Sequence, residues 1–448
     1  MDRRPVTPAP VVAVVGAGLA GLAAGVELQR RGARVTLIER SRLLGGKATS
    51  FVVDGVEVDN GQHVVLRCCT EFLDFVDTLG LADSLRFQSR FVVTVLAREG
   101  RPARLSAAPL PAPLHLALGF AGYRHLGIAD KLRVARALVA ARRPVPDGVD
   151  MATWLRMNKQ SRAARRAFWD PFLVPALNAS LEDVSAGDAL FVIRTAFLGK
   201  RDAACIGYST TPLARIAELA AKQLESVHLR SAVTDLHIEQ GRVVAVQLEG
   251  GERIACDACV LAVPPRRLAA ILDTPERYGV TGLGVFRTTP IVDVHLWYDR
   301  SPRGLDFAAL LDSPVQWVFA KGQGYLCCSL SAAGDLVSRP ERALVDLCDA
   351  ELRAVIPGLR TATLLRGAAT RDPEATFLPA PGLQRPGAVT GIANLAIAGA
   401  WTDTGWPATM ESAVRSGRAA AAHLRAELAR RPSSAPARDM DREVAHAI

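Results

Sequence analysis

The stretch Val11 to Lys47, VVAVVGAGLAGLAAGVELQRRGARVTLIERSRLLGGK, constrains the fold more than any other part of the chain. It opens with an apolar run, Val11 to Val15, of the kind shown by a strand buried on both faces. Gly16, Gly18 and Gly21 follow in the spacing G-x-G-x-x-G. A helical pattern runs from about Leu19 to Arg31, Gly32 stops it, and a second strand follows from Arg34 to Glu39. This is a βαβ unit with its glycines at the strand-to-helix turn. Gly16 permits the tight turn, Gly18 lets the backbone approach a pyrophosphate, and Gly21 lets helix and strand pack closely. The helix start at Leu19 and Ala20 offers free N–H groups and the positive dipole end to phosphates. Glu39 ends the second strand, 23 residues after Gly16, where a carboxylate accepts from ribose hydroxyls. A glycine-rich turn alone also fits a purely structural α/β connection. The strand, helix, second strand and acidic residue in one frame select dinucleotide binding, and Glu39 would repel the 2′-phosphate of NADP.

Arg40 and then Gly45-Gly46-Lys47 come directly afterwards. A second glycine pair with a basic residue suits a second backbone approach to the same cofactor, which nicotinamide-binding domains do not require. Here the chain resembles the FAD-dependent amine oxidase and phytoene desaturase superfamily, whose signature is G-x-G-x-x-G, an acidic strand end and then G-G-[RK]. The resemblance implies that Gly16, Gly18, Leu19, Ala20, Gly21, Glu39, Arg40, Gly45, Gly46 and Lys47 line FAD.

A chain of 448 residues accommodates two or three domains with large cores. Its net charge of +9 comes from 54 Lys+Arg against 45 Asp+Glu. No nucleic-acid motif accompanies that balance, and arginines occur throughout, so it describes a solvated surface rather than a nucleic-acid partner. The eight cysteines follow an N-terminus that is polar and Pro-rich and lacks the apolar core of a secretory signal, so free thiols in a reducing cytoplasm are expected. Cys256-x-x-Cys259 lies in a strand pattern without a second ligand pair, which argues against a metal. Ser106 to Tyr123 is uncharged, but Pro109, Pro111 and Pro113 break a spanning helix.

Along the chain, Phe51 to Arg67 reads as two strands around an Asp54-Gly55 turn, followed by Asp59-Asn60-Gly61-Gln62-His63. Taken alone, this segment is a turn capped by Asp and Asn. In context, D-N-G-Q-H resembles one branch of the superfamily, the squalene-associated desaturases or hydroxysqualene dehydroxylases, and implies that Gly61, Gln62 and His63 lie near the isoalloxazine. Leu114 to Arg143 shows apolar positions at helical spacing with Arg and Lys opposite. It reads either as a helix pair covering a core or as a basic amphipathic surface on a membrane. Met151 to Trp169 looks helical, with Trp154 and Trp169 as anchors, and Asp170 and Asn178 read as helix caps. A helix from Leu213 to about Ser226 precedes a strand–turn–strand over Val227 to Leu248, and Val233 resembles the position whose backbone holds adenine. Alternation in Val292 to Trp297 indicates a sheet strand in which His295 and Trp297 are ordinary residues or line a pocket. A helix over 340–355, a strand over 361–370 closed by Arg371-Asp372-Pro373, and a Pro-rich connector over 379–387 follow.

Asn394 to Ala400 is a strand ending in Gly399, and a helix begins near Thr409 and Met410. This resembles the C-terminal flavin motif, a strand, G-D, a glycine/proline loop and an E-x-A-x-x-S-G helix. It implies that Gly399, Ala400, Thr409 and Met410 also line FAD. The usual Asp is Ala400 here, so either Asp403 substitutes or FAD binds more weakly. The expected fold is α/β: a Rossmann-like, discontinuous FAD-binding domain (8–67, 205–267 and 390–428) with an inserted α+β substrate domain (68–204 and 268–389). Residues 1–7 and 431–448 read as disordered tails.

No Ser-His-Asp set, metal cluster or paired catalytic carboxylates emerge from the spacing, which suits a flavoenzyme. The resemblance implies a reduction of hydroxysqualene, an apolar isoprenoid alcohol, with an external electron donor; the missing secretory signal and the 114–143 pattern lead us to expect a cytoplasmic protein, at most peripheral on the membrane. His63 is the candidate proton donor to the leaving hydroxyl. Carotenoid desaturation, amine oxidation and a non-catalytic prenyl-binding escort remain as alternatives.

Overall fold

The computed structural model describes residues 8–430 except Asp54 and Gly100. The two tails expected to be disordered, and the Asp54 half of the expected hairpin turn, lie outside the described residues.

The opening unit forms as its pattern predicts: β1 (Val11–Val15), α1 (Leu19–Arg30) and β2 (Arg34–Glu39). β1 is the middle strand of a five-stranded parallel sheet. The others, in spatial order, are Ser226–Leu229, β2, then β1, Ala258–Leu261 and Leu395–Ile397. Alternate residues of β1 enter different cores. Val12 and Val14 pack under α1 and the C-terminal helix Met410–Ala429. Ala13 and Val15 face a three-stranded antiparallel sheet, Val233–Glu239, Arg242–Leu248 and Arg253–Ala255. Burial on both faces is why the strand reads as an unbroken apolar run. The expected strand–turn–strand over 227–248 is three strands in two sheets, because Ser226–Leu229 pairs with β2 instead of with its sequence neighbour. The stretch containing Cys256 and Cys259 is likewise split, and both thiols are buried and free.

The second large unit is a seven-stranded sheet. Its spatial order is Leu364–Phe377, Thr288–Tyr298, Tyr325–Leu330, Trp317–Gly322, Phe307–Leu310, Val92–Leu96 and Ala103–Ser106. One face, with Val292, Val294, Leu296, Leu326 and Cys328, is covered by the helix Glu341–Val355. The other face meets the helical layer built from residues 114–197. The strand Leu364–Phe377 runs through Asp372-Pro373, where the sequence places its end. It is an edge strand, and its pairing shifts between Thr289 and Ile291, so neither Pro290 nor Pro373 interrupts a regular ladder.

The helical pattern over 151–177 breaks at residues 158–161; from Arg162 it runs through a π-helical turn, Arg165–Trp169, directly into Asp170–Leu177, which carries Pro171 and Pro175. Asp170 therefore does not cap a helix. It lies within the run, and its carboxylate accepts from Arg165 Nε at 3.1 Å. Asn178 ends the run in the left-handed conformation. Its side chain donates to Thr289 and Thr376 and accepts from Ala332 N–H, stitching the helical layer to the wide sheet.

Candidate active site

The glycines of the opening unit act through close approach. Gly16 has φ +101°, and a β-carbon there would overlap the Ala262 carbonyl. A β-carbon on Gly21 would overlap the Gly16 carbonyl oxygen. Gly18 differs: a β-carbon there would meet nothing within 4 Å, so its outer side is open. It precedes α1 without a side-chain cap, leaving the first-turn N–H groups at Leu19 and Ala20 facing that opening. Glu39 borders it, accepting from Ala17 N–H (2.7 Å) and Ser41 N–H (2.8 Å). Gly45 N–H donates to Ala17 O (2.8 Å), and a β-carbon on Gly46 would lie 3.0 Å from Gly18 Cα. The two glycine clusters, separated by about two dozen residues, are thus one surface.

The remaining expected residues are spread over several elements. Arg40 is exposed, and Lys47 reaches across to Asp372 Oδ2 (3.0 Å) and the Glu374 carbonyl on the wide sheet. Val233 starts the antiparallel sheet, buried, its carbonyl accepting from Arg267. At the C-terminal motif, Gly399 N–H donates to Ser416 Oγ, Ser412 Oγ donates to the Ala400 carbonyl, and Thr409 caps the helix at Ser412 N–H. Met410 is the first helical residue. Gly417 lets this helix press against α1, since a β-carbon there would overlap the Ala20 carbonyl. The motif glutamate, Glu411, is fully buried and accepts from Glu71 and Phe72 N–H, capping the helix Thr70–Thr78. Asp403 is turned to Gly405 N–H and toward Arg385 and is largely exposed.

Gly61 and Gln62 lie against the wide sheet. Gly61 has φ +86°, and a β-carbon there would be 2.6 Å from Asp293 Oδ2. Gln62 N–H donates to Asp293 Oδ1 at 3.2 Å. Gln62 Oε1 is buried with no partner among the described residues. His63 keeps Nδ1 3.3 Å from the Gly61 carbonyl. Burial pushes its imidazole below the ordinary value, so it is neutral at pH 7. That state does not suit the proton donor expected from sequence.

Sequence reasoning missed Asp293. The alternation of Val292 to Trp297 places Asp293, His295 and Trp297 on one face, and the acidic residue in an apolar strand was the available signal. Its carboxyl is buried, and desolvation pushes it up to about 6. Next to it, His295 Nδ1 is 2.7 Å from Tyr325 OH, and burial pushes its imidazole down to about 4. Trp297 stacks on Tyr325 at 4.7 Å, and the Arg366 guanidinium lies over the Trp297 ring at 3.9 Å. The same sheet face becomes aromatic further along: Trp317 packs with Phe307 and Phe319 and meets Phe172, which touches Phe91 and Phe197. Polar chemistry at the 59–63 turn thus gives way to an apolar wall.

A dinucleotide fits this arrangement. Gly18 is open, the α1 start is uncapped, and Gln62 Oε1 is an acceptor without a donor. Among the described residues no cluster of His, Cys, Asp and Glu could hold a metal ion.

Comparison with known proteins agrees with that fit. The chain is 32% identical to the hydroxysqualene dehydroxylase of Rhodopseudomonas palustris over 434 residues, covering 92% of this chain and 97% of the relative. It is 29% identical to the hydroxysqualene dehydroxylase of Sinorhizobium fredii, covering 92% and 97%. The fold is that of cyclohexylamine oxidase from Brevibacterium oxydans, with a TM-score of 0.68 at 19% identity over 94% of this chain and 100% of the other. Residues 19–425 match the family described as flavin containing amine oxidoreductase. With that match spanning most of its length, the chain belongs to this family and is an FAD-dependent oxidoreductase.

Proposed function

We propose that the protein reductively dehydroxylates hydroxysqualene to squalene and water. The observation that carries this reading is the full-length similarity to relatives named hydroxysqualene dehydroxylase. FAD would be held by Gly16, Gly18, Leu19, Ala20, Gly21, Glu39, Gly45 and Gly46 at its pyrophosphate and ribose, with Arg40 and Lys47 at the edge. Val233, Gly399, Ala400, Thr409 and Met410 would complete the binding surface, with Gly61, Gln62 and His63 beside the ring. When bound, it supplies the two-electron reduction, and an external electron donor restores it. The chain's own work is then to bind and exclude. The aromatic wall of Phe172, Phe307, Trp317 and Phe319 takes the isoprenoid and keeps water out. His63, neutral and with Nε2 unused, orients the hydroxyl by a hydrogen bond. The polar groups of the wide sheet support charge as the C–O bond opens. Amine oxidation is less well served, because Trp297 and Tyr325 are stacked in contact and leave no slot for an alkylamine between them. Purified protein supplied with FAD, a chemical reductant and hydroxysqualene is expected to yield squalene. Desaturation of phytoene by the oxidised protein, without squalene formation, would overturn the reading.

The substrate's apolarity gives the surface at 114–143 a role: it docks on an anionic membrane. Leu114, Leu118, Ile128, Leu132 and Val139 are exposed there, flanked by Arg124, Arg136, Arg142 and Arg143. No described helix is long and apolar enough to cross a membrane. Leu118→Asp combined with Leu132→Asp is expected to abolish co-sedimentation with anionic vesicles. Unchanged sedimentation of that variant would contradict the role.

A further inference from the structure

We propose that Asp293, and not His63, holds the proton that leaves with the substrate hydroxyl. This rests on the dehydroxylation reading above. The reaction breaks one C–O bond and forms one C–H bond. The electron pair and hydrogen come from reduced FAD, which is oxidised, and the oxygen leaves as water only after it takes a proton. Asp293 would be left as the carboxylate and would regain a proton from solvent.

Three observations single it out. Its carboxyl is buried against the Gly61–Gln62 turn, with Oδ2 only 2.6 Å from where a Gly61 β-carbon would be and Oδ1 accepting from Gln62 N–H. A larger residue at 61 would therefore separate turn and acid. Its position on the strand Thr288–Tyr298 is opposite Ser329 and Thr370, on the face that continues into the aromatic wall. Finally, the alternatives are unsuited: His63 and His295 are both held neutral by burial. Lys321, Tyr325, Cys327 and Cys328 from neighbouring strands act on Asp293 directly, and Asp59, His63, Arg366 and Asp372 act on those groups, on His295 or on one another in turn. His295 shares the strand of Asp293. Lys321, Gln62 N–H and Ser329 favour the charged form, but desolvation outweighs them and leaves the carboxyl near 6. A group titrating there exchanges protons readily at neutral pH.

The test is the pH profile of single-turnover squalene formation by reduced wild type and Asp293→Asn, together with an infrared titration of the flavin-free proteins. Wild type is expected to slow as pH rises above about 6. D293N should be about 100-fold slower or more and lack that dependence, with flavin content unchanged. In the flavin-free wild type, a protonated-carboxyl band should disappear near pH 6 and be absent from D293N. A D293N enzyme with the wild-type rate and profile overturns the proposal, as does a carboxyl that titrates in the ordinary range. If D293N does not fold, Ser329→Ala decides: losing a bond that favours the charged form moves the acid limb to higher pH, and an unmoved limb overturns the proposal. Wild type that forms no squalene at any pH overturns the dehydroxylation reading itself and takes this inference with it. The infrared band still reports separately where the proton is held.

Discussion

The five-stranded and seven-stranded sheets reach the site by opposite means. Around β1 the work is done by backbone: glycines that admit a carbonyl or a neighbouring Cα, an uncapped helix start, and one carboxylate bonded to the loop it borders. Around Thr288–Tyr298 it is done by side chains brought together across strands: Asp293, His295, Tyr325, Lys321 and Arg366. Backbone sites need particular residues at fixed local spacing. Side-chain sites need only a common face, assembled from positions far apart in sequence. The first kind is therefore local and the second is not, and substitutions in the two sheets should fail in different ways.

The largest expected effect is that of Gly21→Val. The new side chain would collide with the Gly16 carbonyl, a rigid backbone group. A loss of more than about 4 kcal/mol is expected, seen as insoluble or flavin-free protein. Gly18→Ala, three residues away, sharpens the point. Its β-carbon has open space in the protein, so the melting temperature should barely change, while flavin affinity falls about tenfold because the approach to the pyrophosphate is blocked. Equal losses of stability in the two variants would break the distinction.

Glu411→Ala should come next. The residue sits in the flavin motif, yet its carboxylate caps the helix Thr70–Thr78 and pairs with Arg415. Denaturant unfolding should show a loss of about 3 kcal/mol, since buried N–H groups and a guanidinium lose their partner. Flavin affinity should follow only as far as folding does.

On the wide sheet, Asp293→Asn should produce a pH-dependent stability difference. The folded-state value is raised from 3.8 to about 6. Below pH 3.8 the carboxyl is protonated in both states and costs nothing. As pH rises through this window the unfolded chain ionises first, so wild type loses stability, by about 3 kcal/mol once both states are ionised. D293N escapes that loss, so its stability relative to wild type should rise between pH 4 and pH 7. A constant difference would contradict the raised value. The smallest effect is that of Asp403→Ala. This carboxylate is exposed and far from ideal geometry with Arg385, at 3.7 Å, so stability should change by less than about 0.5 kcal/mol and flavin content should be unaltered. A large loss of flavin would mean that Asp403 does replace the aspartate missing at Ala400.

The same contrast explains what the sequence made visible. The βαβ unit, the parallel strands other than Ser226–Leu229 and the C-terminal helix follow from apolar runs and glycines at short range. Asp293 was not found because nothing in its own strand tells that Gly61 packs on it from more than 200 residues away. The continuation of Leu364–Phe377 through Pro373 was hidden for a similar reason, since tolerance of proline depends on the strand lying at an edge. Glu411 shows the reverse limit: a motif residue was visible, but its partner, an unrelated helix start, was not.

A cofactor held by the first sheet would be brought to a polar pole and an apolar wall on the second. The most direct measurement is an anaerobic single turnover. Purified, dithionite-reduced protein is mixed with hydroxysqualene while the flavin spectrum and the extracted lipids are followed together. Squalene should appear in step with flavin reoxidation and in equimolar amount. A flavin that stays reduced with no squalene formed, or a protein that takes up no FAD, would show that the two sheets do not serve dehydroxylation together.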